Sequence, residues 1–191
     1  FTRMFADKTE IRQDNQGNDI RPSQVEKPSW NKFVLRDAER LFPEPLYFYF
    51  DRGVQTLRLV GIKEPMIIES IRIFNQEELK SYKDVSAGYN VNPEIEDGFI
   101  SIVQAEDAYL KSDATLFPIF DRSSSKTEPF EYDKIKLNTI GGNNWRTGGQ
   151  WLSWTISVPE DGYYKLAFKF RQNYSVGIPV TRALYIDGKQ Y

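Results

Sequence analysis

Gln150-Trp151-Leu152-Ser153-Trp154-Thr155-Ile156-Ser157-Val158 alternates at period two. Leu152, Trp154, Ile156 and Val158 share one parity; Trp151, Ser153, Thr155 and Ser157 share the other. That is the pattern of a strand with one face in a core and one in water. Pro159-Glu160-Asp161-Gly162 follows as a turn, Pro setting φ and Gly permitting a positive one. Residues 163–172 (YYKLAFKFRQ) alternate again, with Tyr164, Leu166, Phe168 and Phe170 inward and Lys165, Lys169 and Arg171 outward. The two segments read as a β-hairpin.

Working outward, a second hairpin is predicted from 46–50 (LYFYF) and 54–62 (VQTLRLVGI) around Asp51-Arg52-Gly53. Further strands are predicted at 66–74 (MIIESIRIF), 99–104 (FISIVQ), 134–139 (KIKLNT) and 182–187 (RALYID). Short alternating strands with frequent Gly/Pro turns point to an all-β fold, an antiparallel sandwich. The helical candidate is short, 76–82 (QEELKSY). Residues 5–27 are polar and read as a long loop, 121–128 (DRSSSKTE) as a second loop, and 84–97 as a linker between two comparable halves.

Composition narrows the chemistry. The 191 residues are 40% hydrophobic, 15% aromatic and 27% charged, with a net charge of -2 and neither Cys nor His. Without Cys there is no disulfide frame, thiol nucleophile or iron–sulfur cluster. Without His there is no Ser-His-Asp triad and no HExxH zinc site. The net charge supplies no positive field for nucleic acid. No run approaches the roughly 20 apolar residues of a membrane span. The chain opens at Phe1 without a charged leader and apolar core, so a signal peptide is expected to have been removed or not included. The length suits one domain, or one plus a fragment, burying roughly 70% of its unfolded surface.

Three polar residues fall on core parity. Gln104 and Glu106 share parity with Ile100 and Ile102; Glu69 shares it with Ile67, Ile71 and Ile73. A buried carboxylate costs several kcal/mol unless paired or metal-bound. Two carboxylates and an amide oxygen at one sandwich edge would make a hard-oxygen site suited to Ca²⁺. The alternatives are that the strands end before these residues, or that Lys or Arg partners them.

A second constellation is aromatic and amide-rich. Trp145 lies in Gly141-Gly142-Asn143-Asn144-Trp145-Arg146-Thr147-Gly148-Gly149, and Trp151 has the outward parity. An aromatic among Gly and Asn is placed to stack on a sugar ring while Asn and Arg bond its hydroxyls, or to fold back as a lid. Gln172-Asn173-Tyr174 is a similar cluster at a strand end, with an Asx-type turn as the plainer reading. Trp30 suits either use. The paired glycines are no phosphate loop, lacking Gly-Lys-Ser/Thr and a following helix. Glu94/Glu96 and Glu128/Glu131 have no spacing that fixes a glycosidase separation.

Ala105-Glu106-Asp107-Ala108, Gly149-Gln150-Trp151-Leu152-Ser153-Trp154, Val158-Pro159-Glu160-Asp161-Gly162-Tyr163-Tyr164, the strand ending Arg171-Gln172-Asn173, and Tyr185-Ile186-Asp187-Gly188-Lys189 occur in that order. The series resembles galactose-binding-like carbohydrate-binding modules, jelly-roll sandwiches of the kind fused to bacterial extracellular solute-binding proteins of sugar uptake systems. It covers 100–189. Residues 30–73 resemble the last third of the same module, placed ahead of the front strands. The resemblance thus implies a circularly permuted single sandwich, with 1–75 as closing strands, 76–94 as linker and 95–191 as front strands. The alternative is the end of one module (1–75) and the start of a second (95–191).

The resemblance also implies a Ca²⁺ site at Glu106 and Gln104 with Glu69, although Gln104 replaces a common Glu and Glu69 a frequent Asp. It implies a sugar site at the loop end, formed by Trp145, Asn144, Trp151, Asn173 and Tyr174 with Arg146 in support. The expected function is non-catalytic binding of a glycan or oligosaccharide at the bacterial cell surface, within a larger multidomain protein. Trp145→Ala is expected to abolish it with little loss of stability. The rivals are a structural or protein-interaction module and a polysaccharide-active jelly-roll enzyme.

Overall fold

Residues 5–26 build two hairpins where their polarity predicts a loop. The structure, a computed structural model, describes residues 3–28, 30, 32–37, 42, 44–63, 65–75, 80–88, 99–174 and 177–191. Strand β1 (Phe5–Asp7) pairs antiparallel with β4 (Gln24–Glu26), and between them β2 (Arg12–Gln13) pairs with β3 (Asp19–Ile20). The inner turn is closed by Asp14, whose Oδ1 accepts from the amides of Gln16 at 2.8 Å and Asn18 at 2.9 Å. Two polar side chains of this segment, Asn18 and Asp19, are structural. Asn18 Oδ1 accepts from the Ile135 amide and Asp19 Oδ2 from the Leu137 amide, each at 2.9 Å, and the Asp19 amide donates to Ile135 O at 2.8 Å. Apolar alternation reports only ladders that cover a core; these are pinned by side-chain bonds to a distant backbone.

β1 also pairs with β5 (Leu110–Lys111), and β5 with β8 (Leu152–Ser153), giving an antiparallel sheet in the order β4-β1-β5-β8. β6 (Pro118–Ile119) pairs antiparallel with β7 (Thr139–Ile140). A 3₁₀ turn at Ala105–Asp107 packs against both. Met4, Ala108, Leu116, Pro118 and Leu137 are buried apolar residues on or beside these elements. Asn138, buried, donates to Asp121 O at 3.1 Å and Pro129 O at 2.9 Å and accepts from the Asp121 amide at 2.8 Å, so it holds the predicted 121–128 loop by its backbone.

The chain divides into two compact units, Phe1–Leu46 with Glu94–Val180 and Tyr47–Pro93 with Thr181–Tyr191. In the second, a helix α1 (Tyr82–Ser86) is capped by Ser81, later than the predicted 76–82, of which 76–79 lie outside the described residues. β9 (Tyr185–Ile186) and β10 (Lys189–Gln190) form a hairpin across Asp187-Gly188. Both turn residues have positive φ, 50 and 79°, the type I′ geometry that Asp-Gly favours.

The ladders differ from the predicted ones. The 150–158 strand shortens to β8, and its partner is β5, not 163–172. Beyond Trp154 the inward parity is exposed at Ile156, Leu166, Phe168 and Phe170. The chain still bends at 159–162, with the Tyr164 hydroxyl donating to Glu160 O at 2.8 Å, but Gly162 does not take the positive φ expected of it. No ladder joins 46–50 to 54–62 among the described residues; Leu46 instead donates its amide to Leu35 O at 2.8 Å. Alternation marks which side chains would share a face, but a face is buried only where a second layer lies over it. All the ladders are antiparallel, and the protein is mostly β with almost no helix.

Candidate functional site

Two loops of the first unit form a small polar cleft. Asp113 begins one: its Oδ1 accepts from both the amide and the hydroxyl of Thr115 at 2.9 Å, which closes a local turn. The other runs from Gly141 through the 3₁₀ turn Gly142–Asn144 to Gln150. Gly141 and Gly142 have φ of 109 and 61°, which only glycine adopts without strain, and both are crowded. A Cβ on Gly141 would sit 3.3 Å from the Trp145 ring, and one on Gly142 would sit 2.7 Å from the Tyr174 hydroxyl. The glycines therefore let Trp145 and Tyr174 close onto the backbone.

Trp145 is half-buried, and its indole N–H donates to Gln150 O at 3.1 Å. Gln150 closes the loop from within: Oε1 accepts from the Thr147 amide at 3.0 Å, and Nε2 donates to Thr115 Oγ1 at 3.3 Å, tying the loops together. The resulting cleft, about 250 Å³, is lined by Asp113, Thr115, Asn143, Asn144, Arg146, Thr147 and Gln150. Asn144 and Arg146 were expected there. Asp113, Thr115 and Asn143 were missed. An Asp two residues before a Thr is the sequence signal of the turn they form.

The other predicted sugar residues fall elsewhere. Trp151 is half-buried and bound through its backbone to Ser112, amide to Oγ at 2.8 Å and carbonyl to the Ser112 amide at 3.1 Å. Asn173 lines a second cleft of about 710 Å³ with Phe170, Ile178, Pro179 and Val180. Tyr174 stands beside Gly142 with its amide on Gln172 Oε1 at 2.9 Å, the Asx-like turn of the plainer reading. Trp30 is exposed.

Glu106, singled out for calcium, is 4% exposed in the Ala105–Asp107 turn, and its Oε2 has no hydrogen-bond partner. Burial pushes its carboxyl up to about 7, with the charges of Asp107 and Asp19 acting in the same direction. Strand parity does not bury it: Ile100 and Ile102 on the same parity are exposed, and the 3₁₀ turn that follows Gln104 carries Glu106 inward. Trp154 fixes that turn, its indole N–H donating to Ala105 O at 3.0 Å. Gln104 is half-buried at the turn's N-cap. Glu69 belongs to the second unit and is exposed, with Ser70 Oγ donating to its Oε2 at 3.2 Å. Among the described residues no three carboxylates gather to hold a metal ion. Glu94 and Glu96 lie outside the described residues.

One buried charge pair escaped the sequence reading. Lys111, wholly buried on β5, places Nζ 2.5 Å from Asp7 Oδ2 on β1, while Asp7 Oδ1 is buried without a partner. The two are 104 positions apart, and nothing local marks either as internal.

No family model, curated protein or solved structure matches the chain. The function is therefore argued from these side chains.

Proposed function

We propose that the chain is a non-catalytic carbohydrate-binding module of the galactose-binding-like, jelly-roll type, acting outside the bacterial cell. The observation that carries the reading is the 250 Å³ cleft, walled by amides, hydroxyls, one guanidinium and one carboxylate. A sugar presents hydroxyls that both donate and accept, and Asn and Gln side chains offer both functions on one group. Asn143 and Asn144 contribute amides that make no side-chain bond among the described residues, whereas Gln150 is committed to holding the wall. Asp113 is the one carboxylate among the described residues of that wall. A glycosidase flanks the bond it cleaves with two, so binding without cleavage is the better account. Trp145 shapes the loop through its bond to Gln150 O; its truncation would disturb the cleft itself, contrary to the expectation of a stable Trp145→Ala variant. A small exposed site binds weakly, and avidity would come from a linked partner domain.

We also propose that Glu106 anchors a Ca²⁺. Its orphaned Oε2 is the kind of hard acceptor such an ion satisfies, and Gln104 is two residues away in sequence. Chelator should then lower the melting temperature and Ca²⁺ restore it.

The direct test is calorimetry against an oligosaccharide panel. Asn144→Ala should abolish the heat while leaving the melting temperature within a degree or two, since its side-chain amide makes no bond among the described residues. A panel on which the wild type is silent would sink the reading. It would favour an interaction module, for which the exposed Phe168 and Phe170 already speak.

A further inference from the structure

We infer that the cleft selects a sugar carrying a carboxylate, a uronate unit, with that carboxylate seated on Arg146; the inference rests on the carbohydrate reading above. Arg146 lines the cleft, is exposed, and makes no hydrogen bond or ion pair among the described residues. Elsewhere in the same unit Arg171 pairs with Asp121 at 2.6 Å and Arg3 with Glu26 at 3.6 Å. The cleft's own carboxylate does not neutralise it. No ion pair joins Asp113 to Arg146, and Asp113 Oδ1 is occupied by the Thr115 amide and hydroxyl at 2.9 Å. A guanidinium left over in a wall of amides and hydroxyls is a planar fork of donors, and the group that matches it two bonds at a time is a carboxylate. With the sugar acid drawn to Arg146, the sugar's hydroxyls are left to Asn143 and Asn144.

The experiment is titration calorimetry with a galacturonic acid trisaccharide, the neutral galactose trisaccharide of the same linkage, and a sulfated form of the latter. The wild type should bind the uronide about tenfold more tightly than the neutral sugar, the scale of one charge-assisted contact at an exposed site. Added salt should shrink that ratio. Arg146→Gln should bring the ratio to about one, and Arg146→Lys should keep part of it. Circular dichroism checks that both variants fold. Equal binding of uronide and neutral sugar by the wild type overturns this inference and leaves the carbohydrate reading standing. An equal gain for the sulfated sugar overturns the carboxylate in favour of any anion. If none of the three binds, the carbohydrate reading falls and takes this inference with it.

Discussion

Asp7→Ala should be among the most damaging single substitutions in the protein, and Lys111→Met should cost much less. β1 and β5 align with Phe5 opposite Lys111, so Asp7, two residues on, lies on the same face and diagonally across. A long side chain spans that diagonal, and the ion pair closes at 2.5 Å. The Lys111 side chain is 0% exposed and that of Asp7 is 17% exposed. Removing Asp7 therefore leaves an ammonium group in a dry site with no counter-charge, a loss of about 3–5 kcal/mol. Removing Lys111 leaves a carboxylate that still reaches water at one edge, so the loss should be nearer 1–2 kcal/mol, on the scale of an unsatisfied buried polar group. The double variant Asp7→Ala/Lys111→Met removes both charges and should return close to the wild type, because a buried pair contributes little net stability against an apolar replacement. Urea denaturation of the four proteins measures the cycle, provided the slopes agree. Single losses that add in the double variant would show that the pair is not desolvated as the structure has it.

Glu106 gives a pH signature in the presence of chelator. Its folded value is raised to about 7 from an ordinary 4.5, so stability is fully present below 4.5, falls as pH rises toward 7, and loses on the order of 3 kcal/mol. Glu106→Gln should be flat across that window, and denaturation midpoints that run parallel for the two proteins would refute it. Gly142→Ala should cost about 1–2 kcal/mol from its 61° φ and the 2.7 Å approach of the Tyr174 hydroxyl; Tyr174→Phe in the same chain should recover part of the loss in thermal melts. Gln150→Ala should weaken sugar binding severalfold without touching the ligand, because it releases Thr147 from Thr115; calorimetry beside an unchanged far-ultraviolet spectrum would show it.

The all-β character was legible because alternation and Gly/Pro turns are local signals. The predicted 182–187 strand ends instead at Ile186, because Asp187-Gly188 makes a hairpin turn to Lys189. Partner choice was not legible. Nothing in Trp151–Trp154 says that Leu152 will face Lys111 and not a residue of 163–172. The N-terminal hairpins were hidden for the opposite reason. Their polar side chains look solvated until Ile135 and Leu137 supply amides for them to bind, more than a hundred residues away. Of the site, Asn144 and Arg146 could be read because a Gly/Asn loop with an Arg is an unusual local composition. Asp113 and Thr115 could not, since an Asx turn is common and its place opposite that loop depends on β5 and β8 being neighbours.

The calcium and sugar proposals are physically separable, and that bears on how each is tested. Every residue of the polar cleft belongs to 113–150, within the first unit, and its wall is held by bonds among its own residues. Sugar binding therefore asks nothing of 47–75. Calcium depends on another part of the first unit: Glu106 supplies one orphaned oxygen on the Ala105–Asp107 turn, and Gln104 stands nearby in sequence. Glu106→Gln should then remove the calcium response of the melting temperature while leaving the oligosaccharide titration unchanged. Loss of both in that one variant would mean that the cleft depends on the Ala105–Asp107 turn, against the local bonds that define it.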